Sequence, residues 1–324
     1  MLKLFAVIGL LLISATVGAQ AQTRWDLPSP FADDSFQTRN LQEFVKDVDG
    51  RTNGTLKITI HSNQSLIRHE DMMDALRRGI VPIGEIMLSR FDKLNPVYGA
   101  DAVPFLASGY DAAWKLYQAQ KPVLQKIFDR EKLILMFSAP WPPQGFYSTK
   151  QINAVEDIKG LKFRTYDKAS ESLARALGAT PVTIADADLP NALASGEADI
   201  VMIAPSTGAV AFAAGDAPVL YYDVQAWLPR DVVLVNKDHF GGLSDGERRA
   251  LTEASGTAEG RGWDLSKAAA KAQLDALAKA GVKVVQPSDA LKQGLADIGR
   301  ALTEEWLRAA GQDGKAILDA YSKK

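Results

Sequence analysis

Short apolar runs rich in β-branched residues alternate along this chain with longer stretches whose apolar positions recur every three or four residues. That alternation predicts strands and helices taking turns, an α/β arrangement. Thr23 to Leu27 reads as a first strand, and residues 35–49 read as a helix carrying Phe36, Leu41, Phe44, Val45 and Val48 on one side. The turn Thr52-Asn53-Gly54 leads into the alternating strand 56–60. A helix from His69 to Arg78 stops at Gly79, as a C-cap glycine would stop it. Further strands are expected at Ile83 to Leu88, Lys132 to Phe137, Lys162 to Thr165, Ala179 to Thr183, Ile200 to Ile203 and Val232 to Asn236, with helices near 168–177 and 187–195.

Two breaks interrupt this pattern. Pro140-Trp141-Pro142-Pro143 follows one buried strand and Pro229 precedes another, so both are candidate crossings between domains. Beyond them, Ser244-Asp245-Gly246-Glu247 has the form of a capping box, and no proline follows until after Ala280. A continuous helix over that stretch would be about 54 Å long, with Gly256, Gly260 and Gly262 as places where it could bend. A strand at Val282 to Val285 and two helices finish the chain. There is no internal repeat, low-complexity tract or disordered linker.

Composition narrows the chemistry. The 324 residues contain no cysteine, which excludes disulfides, a thiol nucleophile, cysteine-ligated zinc and a lipoprotein anchor. A net charge of −2 gives no basic surface for nucleic acid. The N-terminus reads as a secretory signal: Lys3, then an apolar stretch from Leu4 to Val17, then Ala19-Gln20-Ala21 as a small-x-small cleavage site. The apolar stretch is shorter than the roughly 20 residues needed to span a bilayer. Cleavage after residue 21 removes one lysine and no acid, so −2 becomes −3. The expected product is periplasmic.

Catalytic motifs are missing. His61, His69 and His239 lie in no nucleophile or metal context, and there is no Gly-x-Ser-x-Gly, His-Glu-x-x-His or Walker loop. The glycines at 256, 260 and 262 fall inside a helical pattern rather than after a strand, so they are not a dinucleotide fingerprint. Asp186-Ala187-Asp188 could be a metal pair, but one aspartate capping a helix that starts near Pro190 explains it more simply. No cofactor or metal is expected.

Binding features are better represented. Arg164 ends the strand in Gly160-Leu161-Lys162-Phe163-Arg164-Thr165, where its planar fork could grip a carboxylate with two parallel hydrogen bonds. Trp25, Trp141 and Trp227 sit at strand ends or beside breaks, where the clefts of open α/β domains form. Phe91, Phe146, Tyr166 and Met87 join them as candidate pocket residues. Trp114 looks like core. Gln144, after the proline run, could donate to a ligand oxygen. An exported enzyme acting on a small acid is the competing reading, with Asp186 or Glu85 as its base.

Taken in order, several loose motifs resemble one family. They are Val103-Pro104-Phe105-Leu106, Gly160 to Arg164, Leu177-Gly178-Ala179-Thr180-Pro181, Ala192 to Asp199 and Val235-Asn236-Lys237, behind a signal peptide. Together they resemble the DctP-type solute receptors of tripartite ATP-independent periplasmic (TRAP) transporters over essentially the whole mature chain. The resemblance implies a two-domain periplasmic binding protein with a long helix spanning both domains. Domain I would comprise 22–143 plus 231–271, and domain II 144–230 plus 272–324. It also implies a monomer that closes on a small organic anion and hands it to a small and a large membrane subunit, with Arg164 on the ligand carboxylate. A receptor feeding a sensor kinase would look the same in sequence.

Two departures shape the expected ligand. Gln144 stands where sialic-acid-type members carry a second arginine, and Ile203-Ala204-Pro205 lacks the asparagine that many members have before the proline. Both remove polar partners. The resemblance with these departures implies a monocarboxylate, a hydroxy or keto acid with an aromatic or aliphatic tail, held by Arg164, Gln144, Trp25, Phe91, Trp141, Tyr166, Asp186, Trp227 and Met87.

Overall fold

The structure is a computed structural model that describes residues 22–184, 188–205 and 219–323; the expected signal segment 1–21 and Asp186 lie outside them. Among the described residues, three sheets are present. Strands β1 (Thr23–Pro28) and β2 (Leu56–His61) pair in parallel, joined by helix α1 (Phe36–Arg51), whose N-cap Ser35 accepts from the Thr38 amide. Helix α2 (His69–Arg77) leads to β3 (Ile83–Met87), and α3 (Tyr110–Arg130) leads to β4 (Leu133–Pro140). Strand β10 (Arg230–Asn236) enters between β3 and β4, antiparallel to both.

The chain leaves this half at Pro140 and builds a six-stranded sheet from β5 (Gly145–Ser148), β6 (Lys162–Thr165), β7 (Thr180–Thr183), β8 (Ile200–Ile203), β9 (Leu220–Tyr222) and β11 (Lys283–Val285), in the order β11-β9-β5-β8-β6-β7. Helices α4 (Lys168–Ala176) and α5 (Leu189–Ala192) lie between its parallel strands. Asp188 holds the N-cap position of α5 without a side-chain cap bond.

After α6 (Lys237–Gly241), the long helix α7 runs from Asp245 to Lys279 as 35 residues, about 52 Å, with the capping box formed by Ser244 and Glu247. It runs through its glycines without interruption. Gly262 instead lets it lie close to its neighbours, because a Cβ there would fall 2.7 Å from Ala139 Cβ and 2.8 Å from Asn40 Nδ2. Its Trp263 Nε1 donates to the Ser138 carbonyl on β4 at 3.0 Å. Helix α8 (Asp289–Ser322) contains one non-helical residue, Gly311 at φ 58°, so two helical segments meet there as expected from sequence. No described helix is long and apolar enough to cross a membrane.

Separate apolar cores sit in the two halves. Leu27, Leu41, Phe44, Phe137, Val233 and Leu251 pack between β1, α1, β10 and α7. Phe146, Phe163, Leu173, Met202, Trp227 and Leu295 pack on the six-stranded sheet. The C-terminal ends of parallel β6, β7 and β8, together with the start of antiparallel β5, form one edge of that sheet. In the other half, Met87 and Pro140 end β3 and β4 where β10 begins. The two edges are joined by residues 141–144 and 226–229. These crossings are bonded to each other: the Trp141 amide donates to Pro229 O at 2.7 Å, the Gln144 amide to Trp227 O at 3.0 Å, and the Ala226 amide to Gln144 O at 2.9 Å.

Candidate ligand-binding site

At the C-terminal edge of the six-stranded sheet, Arg164 is buried at 2% exposure. Its Nε donates to the Ile184 carbonyl at 3.2 Å and its Nη1 to the Met202 carbonyl at 3.3 Å, one beyond β7 and one in β8. Backbone acceptors on both neighbouring strands therefore fix the plane of the guanidinium. Tyr166 stacks on it, with the guanidinium carbon 4.8 Å from the ring centroid. The Tyr166 hydroxyl donates to Gln144 Oε1 at 3.4 Å, tying the arginine to the first crossing. A positive charge held this way in a buried setting, at the strand ends where open α/β sheets bind ligands, suits an anion.

The edge of the other half, where β10 begins, carries buried acids. Asp231, at the start of β10, is 2% exposed, and Glu85, in β3, is 4% exposed. Asp231 pairs with Met87 and Val233 with Glu85, so the two carboxylates lie diagonally on one sheet face. Ser29, just after β1, donates its hydroxyl to Glu85 Oε2 at 2.6 Å. Burial pushes the Glu85 carboxyl up to about 7, against the lowering effect of Ser29. Burial and then the Glu85 charge push Asp231 well above the usual carboxylate range. The indole N–H of Trp141 and the amide of Gln37, in the first turn of α1, lie close enough to counter that rise, yet neither closes a hydrogen bond of good geometry on either Asp231 oxygen. Behind this cluster, Asp101 Oδ2 accepts from the Arg230 amide at 2.8 Å and pairs with its Nε at 3.3 Å, both side chains almost fully buried.

The family model for bacterial extracellular solute-binding proteins, family 7 (DctP), matches residues 29–309. The chain belongs to the DctP family. A solved structure of DctP6 from Bordetella pertussis, an extracytoplasmic solute receptor binding pyroglutamic acid, superposes with a TM-score of 0.85 at 42% identity, covering 93% of this chain and 100% of that one. A TRAP solute-binding protein from a marine metagenome, specific for pyroglutamate and holding the co-purified ligand, gives 0.82 at 34% identity, covering 94% and 100%. The C4-dicarboxylate-binding periplasmic protein DctP of Rhodobacter capsulatus is 25% identical over 259 residues, covering 76% of this chain and 75% of that one. This DctP-family chain is thus a TRAP-type solute receptor and not an enzyme, and its family is periplasmic.

Of the residues singled out from sequence, the receptor brings Arg164, Tyr166 and Gln144 into direct contact, with Trp141 on the same crossing as Gln144. Trp141 packs edge-on against Phe31 and Phe36, with centroids 5.3 and 6.1 Å away. Met87 sits opposite Asp231, and its amide donates to His69 Nε2 at 3.0 Å. Trp227 is buried in the core under the six-stranded sheet, while its carbonyl serves the crossing. Trp25 is placed elsewhere. It packs with Leu27, Leu41 and Phe44 and meets His239 edge-on at 6.4 Å, because its turn of the β1 pleat faces the core. Phe91 likewise packs into the core around α2 and α3, edge-on to His69 at 5.5 Å. Phe146 is core too, whereas Trp114, expected inside, is 41% exposed and rests edge-on against Trp263.

Sequence reasoning named Glu85 only as a base for an enzyme and passed over Asp231, Gln37 and Ser29. One signal was available: a lone acid in each of two strands with apolar interiors, Ile83 to Met87 and Arg230 to Asn236. A cavity of about 310 Å³ opens between residues 89–104, the start of α4 and the 302–309 stretch of α8. Tyr166 lines it, but Arg164, Gln144 and Asp231 do not.

Proposed function

We propose that this receptor binds a small organic monocarboxylate of the pyroglutamate kind, with Arg164 clamping the carboxylate and Tyr166 and Gln144 holding the arginine in place. The observation that carries this reading is the buried Arg164 guanidinium, oriented by two backbone carbonyls at the sheet edge. The ligands named for the Bordetella and metagenome receptors, at 42% and 34% identity, support the choice of acid. Gln144 in place of a second cation, and two buried acids on the facing edge, disfavour a dicarboxylate. The halves that meet over the ligand are 22–143 with 231–271, and 144–230 with 272–324. The chain is exported with cleavage after Ala21, acts as a monomer, and delivers its ligand to the small and large TRAP membrane subunits.

Titration calorimetry of the mature chain with L-pyroglutamate, a 2-keto monocarboxylate and succinate tests the reading. The first is expected to bind, and succinate is not. Arg164→Ala, folded by circular dichroism, is expected to weaken binding at least thirtyfold, since removing one partner of a buried charge pair costs about 2–5 kcal/mol. Retained affinity in that variant overturns the clamp, and binding of succinate alone overturns the ligand class.

A further inference from the structure

We propose that the Arg90 guanidinium of one half and the Asp167 carboxylate of the other pair across the cavity between them as the receptor shuts, a latch that favours the closed state and slows ligand release. This inference rests on the reading that the two halves close over the ligand, and it does not depend on which acid is bound.

Both residues line the cavity of about 310 Å³ that opens between residues 89–104 and the start of α4. Arg90 stands in the turn Leu88–Phe91, directly after β3. Leu88 and Phe91 anchor that turn in the core around α2 and α3, while Arg90 itself is exposed. Among the described residues, no acid lies within ion-pair distance of its guanidinium. Across the cavity, Asp167 follows Tyr166, the residue stacked on Arg164, and caps α4. Its Oδ1 accepts from the Ser170 amide at 2.8 Å and the Ser170 hydroxyl at 2.6 Å, and no described residue donates to Oδ2. Burial raises the Asp167 carboxyl above its usual range, the Ser170 bonds and then the Arg90 charge counter that rise, and Asp92 adds to it. The Arg90 charge also reaches His69, which packs edge-on to Phe91 in the same half. The guanidinium therefore acts across the gap between the halves without yet touching its partner. Lys93, Lys168 and Glu305 line the cavity as well. Arg90 is the one lining cation with a planar fork that matches a carboxylate, and Asp167 is half-buried where Glu305 is exposed, so its pairing is screened less. Closure shortens the separation and expels water, and both changes strengthen the attraction.

The test reads closure and release in the intact mature protein. The chain has no cysteine, so spin labels at Lys126→Cys in α3 and Lys159→Cys in the other half report the interdomain distance without interference. Arg90→Gln and Asp167→Asn are each expected to shift the ligand-free distances toward the open state. Each should also raise the L-pyroglutamate release rate about fivefold, the size of a partly screened ion pair. Asn serves as well as Asp at a helix cap, so Asp167→Asn removes the charge and keeps α4. The double variant should go no further than either single one, and Arg90→Lys should recover most of the loss. Arg90→Gln should leave the ligand-free Tm unchanged, which loss of a merely structural contact would not. Additive losses in the double variant overturn the latch. So does a loss from Arg90→Gln with none from Asp167→Asn, which would put Arg90 on the ligand instead. If L-pyroglutamate fails to bind, the ligand reading falls while the distances still decide, and a distribution unchanged by Arg90→Gln overturns this inference by itself.

Discussion

The ring of Tyr166 lies under the Arg164 guanidinium at 4.8 Å, and its hydroxyl reaches Gln144 on the chain that crosses between the two halves. One residue therefore holds the buried cation flat and links it to the crossing between the two halves. Tyr166→Leu should keep the fold and weaken ligand binding by up to about thirtyfold, since a partly desolvated cation–π contact contributes about 0.5–2 kcal/mol. Tyr166→Phe should lose far less. Titration of both variants beside wild type checks the order, and equal losses would mean that the hydroxyl matters more than the stacking.

Asp101 and Arg230 form a buried pair whose guanidinium also bonds Gln120 and lies 4.7 Å from the Tyr117 ring. Removing one member strands the other in an apolar interior. Asp101→Asn is expected to lower stability by about 3–5 kcal/mol, read as a shifted denaturant midpoint with unchanged slope. A loss under 1 kcal/mol would show that Gln120 and Tyr117 suffice to hold Arg230.

Two buried groups give opposite pH dependences over nearly the same range. His69 is pushed down to about 4 by burial and then by the nearby Arg90 charge. Its Nε2 accepts the Met87 amide, which requires the neutral ring. A depressed imidazole is stabilising above its unfolded value near 6.5, and that contribution is lost as pH falls toward 4. Glu85 is raised to about 7, so the folded state binds its proton more tightly than the unfolded chain. That contribution is present at low pH and is lost as pH rises from about 4.5 to 7. Each shift of about 2.5 units corresponds to roughly 3 kcal/mol. Asp231, raised by the same burial, adds to the Glu85 side, so each variant is judged against wild type. Between pH 4.5 and 6.5, ligand-free His69→Gln should have a Tm that falls more steeply with rising pH than wild type, and Glu85→Gln one that falls less steeply or rises. Melting curves across the range check both slopes; parallel profiles for all three proteins would refute the account.

The glycines of α7 divide by their surroundings. Nothing lies within 4 Å of a Cβ added at Gly256 or Gly260, whereas Gly262 is pressed against Ala139 and Asn40. Gly256→Ala and Gly260→Ala should each stabilise by about 0.5–1 kcal/mol, the difference in helix propensity. Gly262→Ala should destabilise by about 1–3 kcal/mol through overpacking. Thermal melts of the three single variants are sufficient, and the same sign at all three positions would contradict the packing argument.

Much of the frame was legible because it rests on local signals. The capping box at Ser244, the apolar strands at 83–87, 162–165 and 200–203, and the proline break after β4 can all be read from residue type and spacing. Strands β5 and β9, of 4 and 3 residues, are too short to show a period, and helix α3 carries Pro122 inside it, a residue that usually ends a helix. Arg164 could be singled out because it stands at a strand end next to family-like motifs. The pairing of Asp231 with Glu85 could not, because a solitary acid in an apolar strand acquires meaning only when folding sets it diagonally across from another. Trp25 shows the complementary limit. Position along a strand says where a residue lies, but the pleat decides which side it faces, and the β1 pleat turns Trp25 into the core.

The two crossings bonded at Trp141–Pro229, Gln144–Trp227 and Ala226–Gln144 behave as one ribbon rather than two strings. A pair of free strands would let either half swivel or slide independently. A hydrogen-bonded ribbon resists sliding and shear, leaving twist and flexure about its own short length as its soft deformations. Trp141 and Gln144 belong to that ribbon, and Arg230 and Asp231 continue directly from its second strand. Whatever torque turns one half of the receptor against the other must therefore pass through the few peptide units that carry Trp141, Gln144 and Asp231.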